Sequence, residues 1–407
     1  MRSGWRVGLL FGIPLFVDLS WFVVLALFSV SWGLQWQQDY PSWGLLAYGA
    51  GGLMALSLFG SVLLHELGHS LVAKSQGIQV NSITLFLFGG IAAIDEESKT
   101  PGKAFQVAIA GPAVSLGLFG LFSLLAFVLP GGANPPYVLL TSLASLNLTL
   151  TLFNLIPGLP LDGGQILKAA VWKATNDRFK GIHWAAQTGK ILGWTAVVLG
   201  GFSLIGLGAT SGLWIAFVGW FMVQNATNYD RVTNLQEVLL KIRASEAMTR
   251  DFRVLDANMS LRQFADEYLL NGDRASVYFA ASDGRYRGLV QSDNLSQIER
   301  SEWESATLHQ IVQPLTQTPS VPETASLATV IQCLESLRRI TVLSPAGAVA
   351  GVIDRGDVIR ALSQKANFRT TDALIQQVKE AGSYPTGLNL GAIAQAALDS
   401  APPTPEA

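Results

Sequence analysis

Residues 61–72 read Ser-Val-Leu-Leu-His-Glu-Leu-Gly-His-Ser-Leu-Val, a His-Glu-x-x-His pattern inside an apolar run. On a helix, positions i and i+4 share a face, so His65 and His69 can grip one metal ion. Glu66, one residue along, stands where a carboxylate can take a proton from a water beside that ion. Two imidazoles and a carboxylate cost several kcal/mol in a hydrocarbon setting, which makes a purely structural role a poor explanation for them. The chemistry these residue types support is metal-assisted hydrolysis, with zinc as the ion and one ion per chain.

A catalytic zinc takes three protein ligands and keeps a position open. His183 sits in a basic loop and His309 in the polar C-terminal half, so neither suits the third place. A better candidate lies in Asn154-Leu-Ile-Pro157-Gly-Leu-Pro160-Leu-Asp162-Gly163-Gly164. The two prolines and the glycine pair break a membrane helix. Broken backbone at membrane depth is tolerated only where protein or a water-filled cavity covers it. If the helix enters at about residue 138 from outside, Asn154 lies roughly 24 Å down. Asp162 then reaches the depth of His65 and reads as the missing ligand. Asn154 is placed to hydrogen-bond a substrate backbone or a developing oxyanion, or equally to brace the broken helix.

The elements that must position these groups are those of a membrane protein. Of the 407 residues, 50% are hydrophobic and only 14% charged, which is apolar for a soluble chain. The apolar part ends near residue 228. Membrane helices are expected at about 19–35, 44–75, 104–129, 138–156, 187–207 and 212–227, six in all. Asp18 is an N-cap for the first. Residues 5–17 read as extended with a turn near Gly12 and Pro14, and 79–94 as a small sheet or hairpin. From Gly44 to His65 is about 31 Å of helix, so the histidines approach the far face of the bilayer. Up to residue 230 every Lys and Arg (Arg2, Arg6, Lys74, Lys99, Lys103, Lys168, Lys173, Arg178, Lys180, Lys190) falls on one side of this arrangement. Such asymmetry predicts a multi-pass cell-membrane protein with both termini cytoplasmic and the metal site toward the cytoplasmic face. The first apolar segment has no small-residue cleavage site after it and is expected to stay as an anchor. The net charge of −2 gives no basis for nucleic-acid binding, and the single Cys333 leaves no intrachain disulfide.

Residues 244–363 read as an ordinary α/β sequence with an approximate internal repeat, divided at about 302/303. Each unit gives a helix, a strand and a Gly-led strand, Gly288-Leu289-Val290 in the first and Gly351-Val352-Ile353 in the second. Four domains follow: a membrane domain over 1–230, a linker over 231–243, the repeated domain, and a tail over 364–407. The tail carries short helical stretches near 371–381 and 389–398 and is expected to be mobile.

Taken together these motifs resemble the site-2 protease family of intramembrane zinc metalloproteases, in its prokaryotic six-helix form with a C-terminal pair of CBS domains. His65, Glu66 and His69 match the family's His-Glu-x-x-His. Asn154, Pro157 and Leu161-Asp162-Gly163 match its second motif, in which the Asp is the third zinc ligand. Ala110-Gly111-Pro112 matches a third, and Ser115 stands where the family often has Asn. The resemblance implies a polytopic α-helical fold with a small β-sheet, joined to a tandem CBS domain. It implies a zinc endopeptidase that cuts peptide bonds in or near transmembrane segments of membrane-protein substrates in regulated intramembrane proteolysis. A substrate helix must be unwound before attack, and 81–94 could hold it by strand addition. CBS pairs commonly bind adenine nucleotides, with Ser or Thr three residues after the Gly and Asp six after it at the ribose. Asp357 matches the latter position; Asp354, Gln291 and Asn294 depart from the pattern. A dimerisation or docking module is the other reading of that pair. The alternative for the whole chain is a CBS-gated metal or ion transporter using the same groups. Its site would sit near the midplane, whereas here the groups gather toward one face.

Overall fold

The computed structural model describes residues 4–87, 89–270, 277–365, 370–385, 387 and 389–400. The chain divides into two compact units, Met1–Thr233 and Asn234–Ala407.

The first unit opens with the hairpin β1 (Trp5–Leu10) and β2 (Ile13–Val17). Its two-residue turn, Phe11 and Gly12, has φ of 50° and 80°. Positive φ at both positions matches the right-handed twist of the flanking strands. Asp18 then caps α1 (Leu19–Asp39), accepting the Ser20 N–H at 2.9 Å, as expected. Helix α2 (Leu46–Ser75) follows, and after it the hairpin β3 (Val80–Phe86) and β4 (Gly89–Ile94). The two hairpins form one sheet in the order β1-β2-β3-β4, with β2 parallel to β3 and β4 on the edge. Ile13 and Ile83 on its inner face pack on Leu67 of α2, next to Glu66 in the chain.

Helices α3 (Pro101–Phe127), α4 (Pro135–Asn154), α5 (Asp162–Thr175) and α6 (Arg178–Leu207) follow, and the unit ends within α7 (Ser211–Lys241), at Thr233. Helix faces invert the pattern of a water-soluble protein. On α6 the buried positions are small (Ala185, Ala186, Gly189, Gly193), whereas Val198, Phe202 and Ile205 are 66%, 65% and 87% exposed. Small residues let backbones approach while large apolar ones meet lipid. At Gly51 a Cβ would lie 2.6 Å from the Gly33 nitrogen, so α1 and α2 cross in backbone contact. Trp36, Tyr40 and Trp43 cluster at the C-terminal end of α1, with the Trp43 indole N–H donating to the Ala133 carbonyl at 2.8 Å. Such a cluster suits a membrane–water interface.

Among the described residues, five helices (α1, α2, α3, α4 and α6) are long and apolar enough to cross a membrane. The sixth expected span, 212–227, is the first part of α7, whose apolar run gives way to Gln224 and Asn225 too soon for a full apolar span. Helix α6 starts nine residues before the expected 187, because the Asp177 side chain caps it at Lys180 N–H. His183 therefore lies on a helix, not in a loop, with Nδ1 2.6 Å from Asp230 Oδ1 of α7.

The second unit repeats one topology. Short α8 (Ala244–Ala247) leads to β5 (Phe252–Asp256), α9 (Leu261–Phe264), β6 (Val277–Ser282), β7 (Arg285–Val290) and β8 (Val312–Pro314). Then come β9 (Ser320–Pro322), α10 (Leu327–Leu334), β10 (Arg339–Leu343), β11 (Val349–Asp354) and α11 (Arg355–Lys365). In each repeat a parallel strand pair flanks a helix and an antiparallel hairpin follows, with Gly288 and Gly351 in corresponding strands. The tail needs correction. Helices α12 (Asp372–Ala381) and α13 (Leu390–Ser400) are packed, not free: Val378, Leu390, Ala394 and Ala397 are buried in the core around Leu327 and Ile331. Their i, i+4, i+7 apolar stripe supplies the burial that holds them.

Candidate active site

His65 and His69 point from one face of α2 toward the first residue of α5. Their Nε2 atoms are 3.3 Å apart, and Asp162 Oδ2 lies 3.1 Å from that of His65 and 3.4 Å from that of His69. One donor atom from each residue falls within 4.8 Å of the others, and both histidines are buried. The Nδ1 atoms are engaged elsewhere. His69 Nδ1 donates to the Val107 carbonyl at 2.7 Å, and His65 Nδ1 is 2.9 Å from Ser115 Oγ. A hydrogen bond at Nδ1 fixes the ring and leaves the Nε2 lone pair for a ligand. Two imidazole nitrogens and one carboxylate oxygen are a donor set suited to a catalytic zinc.

Gly111 makes room for these donors. A Cβ there would overlap His69 Nε2 and lie 2.6 Å from His65 Nε2. No other residue type leaves the space between α3 and the two rings free. Asp162 is held from behind in the same way. Cβ atoms at Gly163 and Gly164 would run into the backbone of Leu155–Ile156 and Gly158–Leu159, and one at Gly189 into the Leu159 carbonyl. The Leu159 N–H also donates to Ala185 O of α6 at 3.1 Å. The Pro- and Gly-rich break is thus folded tightly on itself and on α6, and Asp162 emerges at its far end as the first residue of a helix.

Glu66 lies beside β4. A Cβ at Gly90 would come within 2.5 Å of the Glu66 Cγ, and one at Gly89 within 3.7 Å of Val62 Cγ1. The edge strand therefore crosses the α2 face carrying Val62 and Glu66. Asn154 is the last residue of α4 and is half-buried. Asp357 belongs to the other unit. It is 1% exposed, its Oδ2 accepts the Asp354 N–H at 3.1 Å, and Arg360 pairs with it at 2.9 Å. Burial, with the charge of Asp354 beside it, pushes its carboxyl up to about 6, against the pull of Arg360. Asp354 in turn pairs with Lys379 of α12 at 3.5 Å.

Two contributors were not visible from sequence. Ser115, at the place where the family often has Asn, contacts His65. Asn147 of α4, 1% exposed, donates to Ser61 Oγ at 3.0 Å one turn before His65. The signal for Asn147 is an amide among the leucines and small hydroxyl residues of a membrane helix, where a polar group seeks a partner.

A polytopic helical unit in which two buried histidines meet an aspartate, followed by a repeated α/β unit, is the architecture of a membrane metalloprotease joined to a second module. Known proteins agree. Peptidase family M50 matches residues 53–142 and 132–195, and the CBS domain matches 310–364. The Synechocystis sp. protein sll0528 is 38% identical over 373 residues, covering 90% of this chain and 97% of its own. Rip3 of Mycobacterium tuberculosis is 33% identical over 370 residues, covering 88% and 93%. Both carry zinc metalloprotease in their names. Among solved structures, the site-2 protease from Methanocaldococcus jannaschii is 29% identical, with a TM-score of 0.40 over 56% of this chain and 95% of that one. The chain belongs to peptidase family M50, the site-2 proteases, and carries a CBS domain in its C-terminal unit. Membership supports a protease function and zinc as its metal.

Proposed function

We propose that this chain is an intramembrane zinc endopeptidase, hydrolysing a peptide bond in or near the transmembrane segment of a membrane-protein substrate. The observation that carries the reading is the convergence of His65 and His69, buried among membrane helices, with Asp162, and Glu66 beside them under the edge strand β4.

His65 and His69 through Nε2, and Asp162 through its carboxylate, would hold one zinc per chain. When bound, zinc supplies Lewis-acid chemistry, polarising a carbonyl and making water a better nucleophile near neutral pH. Glu66 accepts a proton from the attacking water as its oxygen bonds to the scissile carbonyl carbon. The same carboxyl gives that proton to the departing nitrogen as the C–N bond breaks, so no proton is left over. A helical substrate hides its amides, and β4 offers free main-chain groups on its outer edge to hold an unwound segment as an added strand. Asn154 we assign to the substrate main chain or to the oxygen that gains charge during attack. The test is cleavage of a single-span substrate by the reconstituted protein, with the cut located in the apolar segment.

The one-sided basic residues support a cell-membrane protein with both termini and the CBS pair in the cytoplasm. In a Cys333→Ser background, a membrane-impermeant thiol reagent on intact cells should label a Cys at Asn134 and spare one at Ser301. The opposite pattern would reverse the orientation. The CBS pair we read as modulating cleavage, through an adenine nucleotide at Asp357 or through dimerisation. A nucleotide acts only if it binds two arrangements of the pair unequally. With Asp357 buried, one of those arrangements must open it.

A further inference from the structure

The loop that leaves β4 is tied to both helices that carry the metal-site side chains. Ser98 Oγ donates to Gln76 Oε1 at 3.0 Å, and Gln76 is the C-cap of α2, seven residues beyond His69. The Gln76 Nε2 donates to the Lys103 carbonyl at 3.1 Å, so Gln76 ties the loop and the first turn of α3 to the end of α2. One residue before Ser98, Glu97 Oε2 accepts from Lys168 Nζ and from Arg178 Nη2, each at 2.8 Å. Lys168 lies on α5, six residues after Asp162, and is 5% exposed. Arg178 is the first residue of α6. Backbones of α5 and α6 touch at this level, since a Cβ at Gly181 would lie 2.5 Å from the Lys168 carbonyl.

A lysine this buried needs a partner charge, and removing the half-exposed Glu97 carboxylate is costly because it leaves Lys168 uncompensated. Burial pushes the Glu97 carboxyl up, but Lys168 and Arg178 outweigh that and hold it at about 2, so the pair stays charged. The same short loop thus pins α2 at Gln76 and α5 at Lys168. Those are the helices that bring two histidines and one aspartate to a common point.

We propose that Glu97 is a positioning residue for the metal centre: by holding Lys168 it fixes α5, and with it Asp162, against α2. The inference rests on the reading of His65, His69 and Asp162 as metal ligands. It adds a residue far from them in sequence, outside every motif, whose charge sets their spacing. Because the loop continues from β4, the strand beside Glu66 and the metal-bearing helices share one strut.

The test measures zinc affinity of the full chain in detergent by competition with a chromophoric chelator. The variants are Glu97→Gln, Lys168→Met, the double variant and Glu97→Asp, with His65→Ala as reference. Partners that orient metal ligands typically contribute about 10- to 100-fold in affinity, and Glu97 acts one step further out. Glu97→Gln and Lys168→Met should each weaken zinc binding about tenfold. The double variant should be no weaker than either, since both break one link. Glu97→Asp, which keeps the charge, should recover most of the affinity. Wild-type affinity in Glu97→Gln overturns the proposal, as do single effects that multiply in the double variant. If Glu97→Gln does not fold, an unchanged affinity in Lys168→Met overturns it equally. His65→Ala still holding zinc would overturn the ligand reading, and the positioning role would fall with it. Loss there without loss in Glu97→Gln removes the positioning role alone.

Discussion

Glu66→Gln should retain about one zinc per chain while cleavage falls by about 10³-fold, within the range that a positioned general base contributes. Gln has the same shape and keeps the helix, so the neighbouring rings and the β4 contact at Gly90 are undisturbed. What it lacks is a basic oxygen to take the water proton and return it to the leaving nitrogen. Substrate binding along β4 depends on backbone groups and should be unchanged, so the loss should fall on kcat and leave KM close to that of the native chain. An active Glu66→Gln protein would remove Glu66 from the chemistry. One that loses zinc as well would make Glu66 a ligand or a support for the ligands.

Replacing any one of His65, His69 and Asp162 with Ala should reduce bound zinc from about one per chain to near none and abolish cleavage. The three donors meet within 4.8 Å, and each offers one ligand atom. Two remaining donors do not hold zinc against a chelator, because structural affinity depends on the full ligand set being assembled by the fold. Asp162→Ala is the sharpest of the three. Asp162 starts α5 just after the glycine-packed break, so Ala can keep that backbone while removing only the carboxylate. Elemental analysis of the purified variants reads the outcome. Full zinc in Asp162→Ala would send the search for a third ligand elsewhere, whereas Asn154→Ala should keep its zinc and lose only activity.

The parts of this arrangement that were legible in the sequence are those that violate their surroundings. Two histidines, a glutamate and an aspartate in apolar segments stand out because hydrocarbon penalises them. Asp18 before an apolar run, and the alternation of 79–94, are local signals that the fold repeats directly. Helix α5 was missed because a 14-residue amphipathic helix after a Pro-Gly break has neither the length nor the hydropathy of a span. Gly111 was noted as part of a motif, but its purpose depends on α3 lying against two rings of α2. Lys168 and Arg178 read in the sequence only as topology markers and Glu97 stands in no motif, since their pairing links residues 71 and 81 positions apart. The tail's composition suggested mobility, yet the apolar stripe through Leu390, Ala394 and Ala397 completes the core of the second repeat. Pairings across the chain and close approaches of backbones have no local signature; period and polarity do.

The central claim is that the bond is cut within the membrane. Purified protein reconstituted in lipid vesicles with a single-span substrate, followed by mass spectrometry of the products, measures it directly. Two fragments are expected whose new ends lie in the substrate's apolar segment, toward the cytoplasmic side, absent with Glu66→Gln and after zinc removal. Fragments that end only in the substrate's water-exposed regions, or that persist in Glu66→Gln, would contradict it.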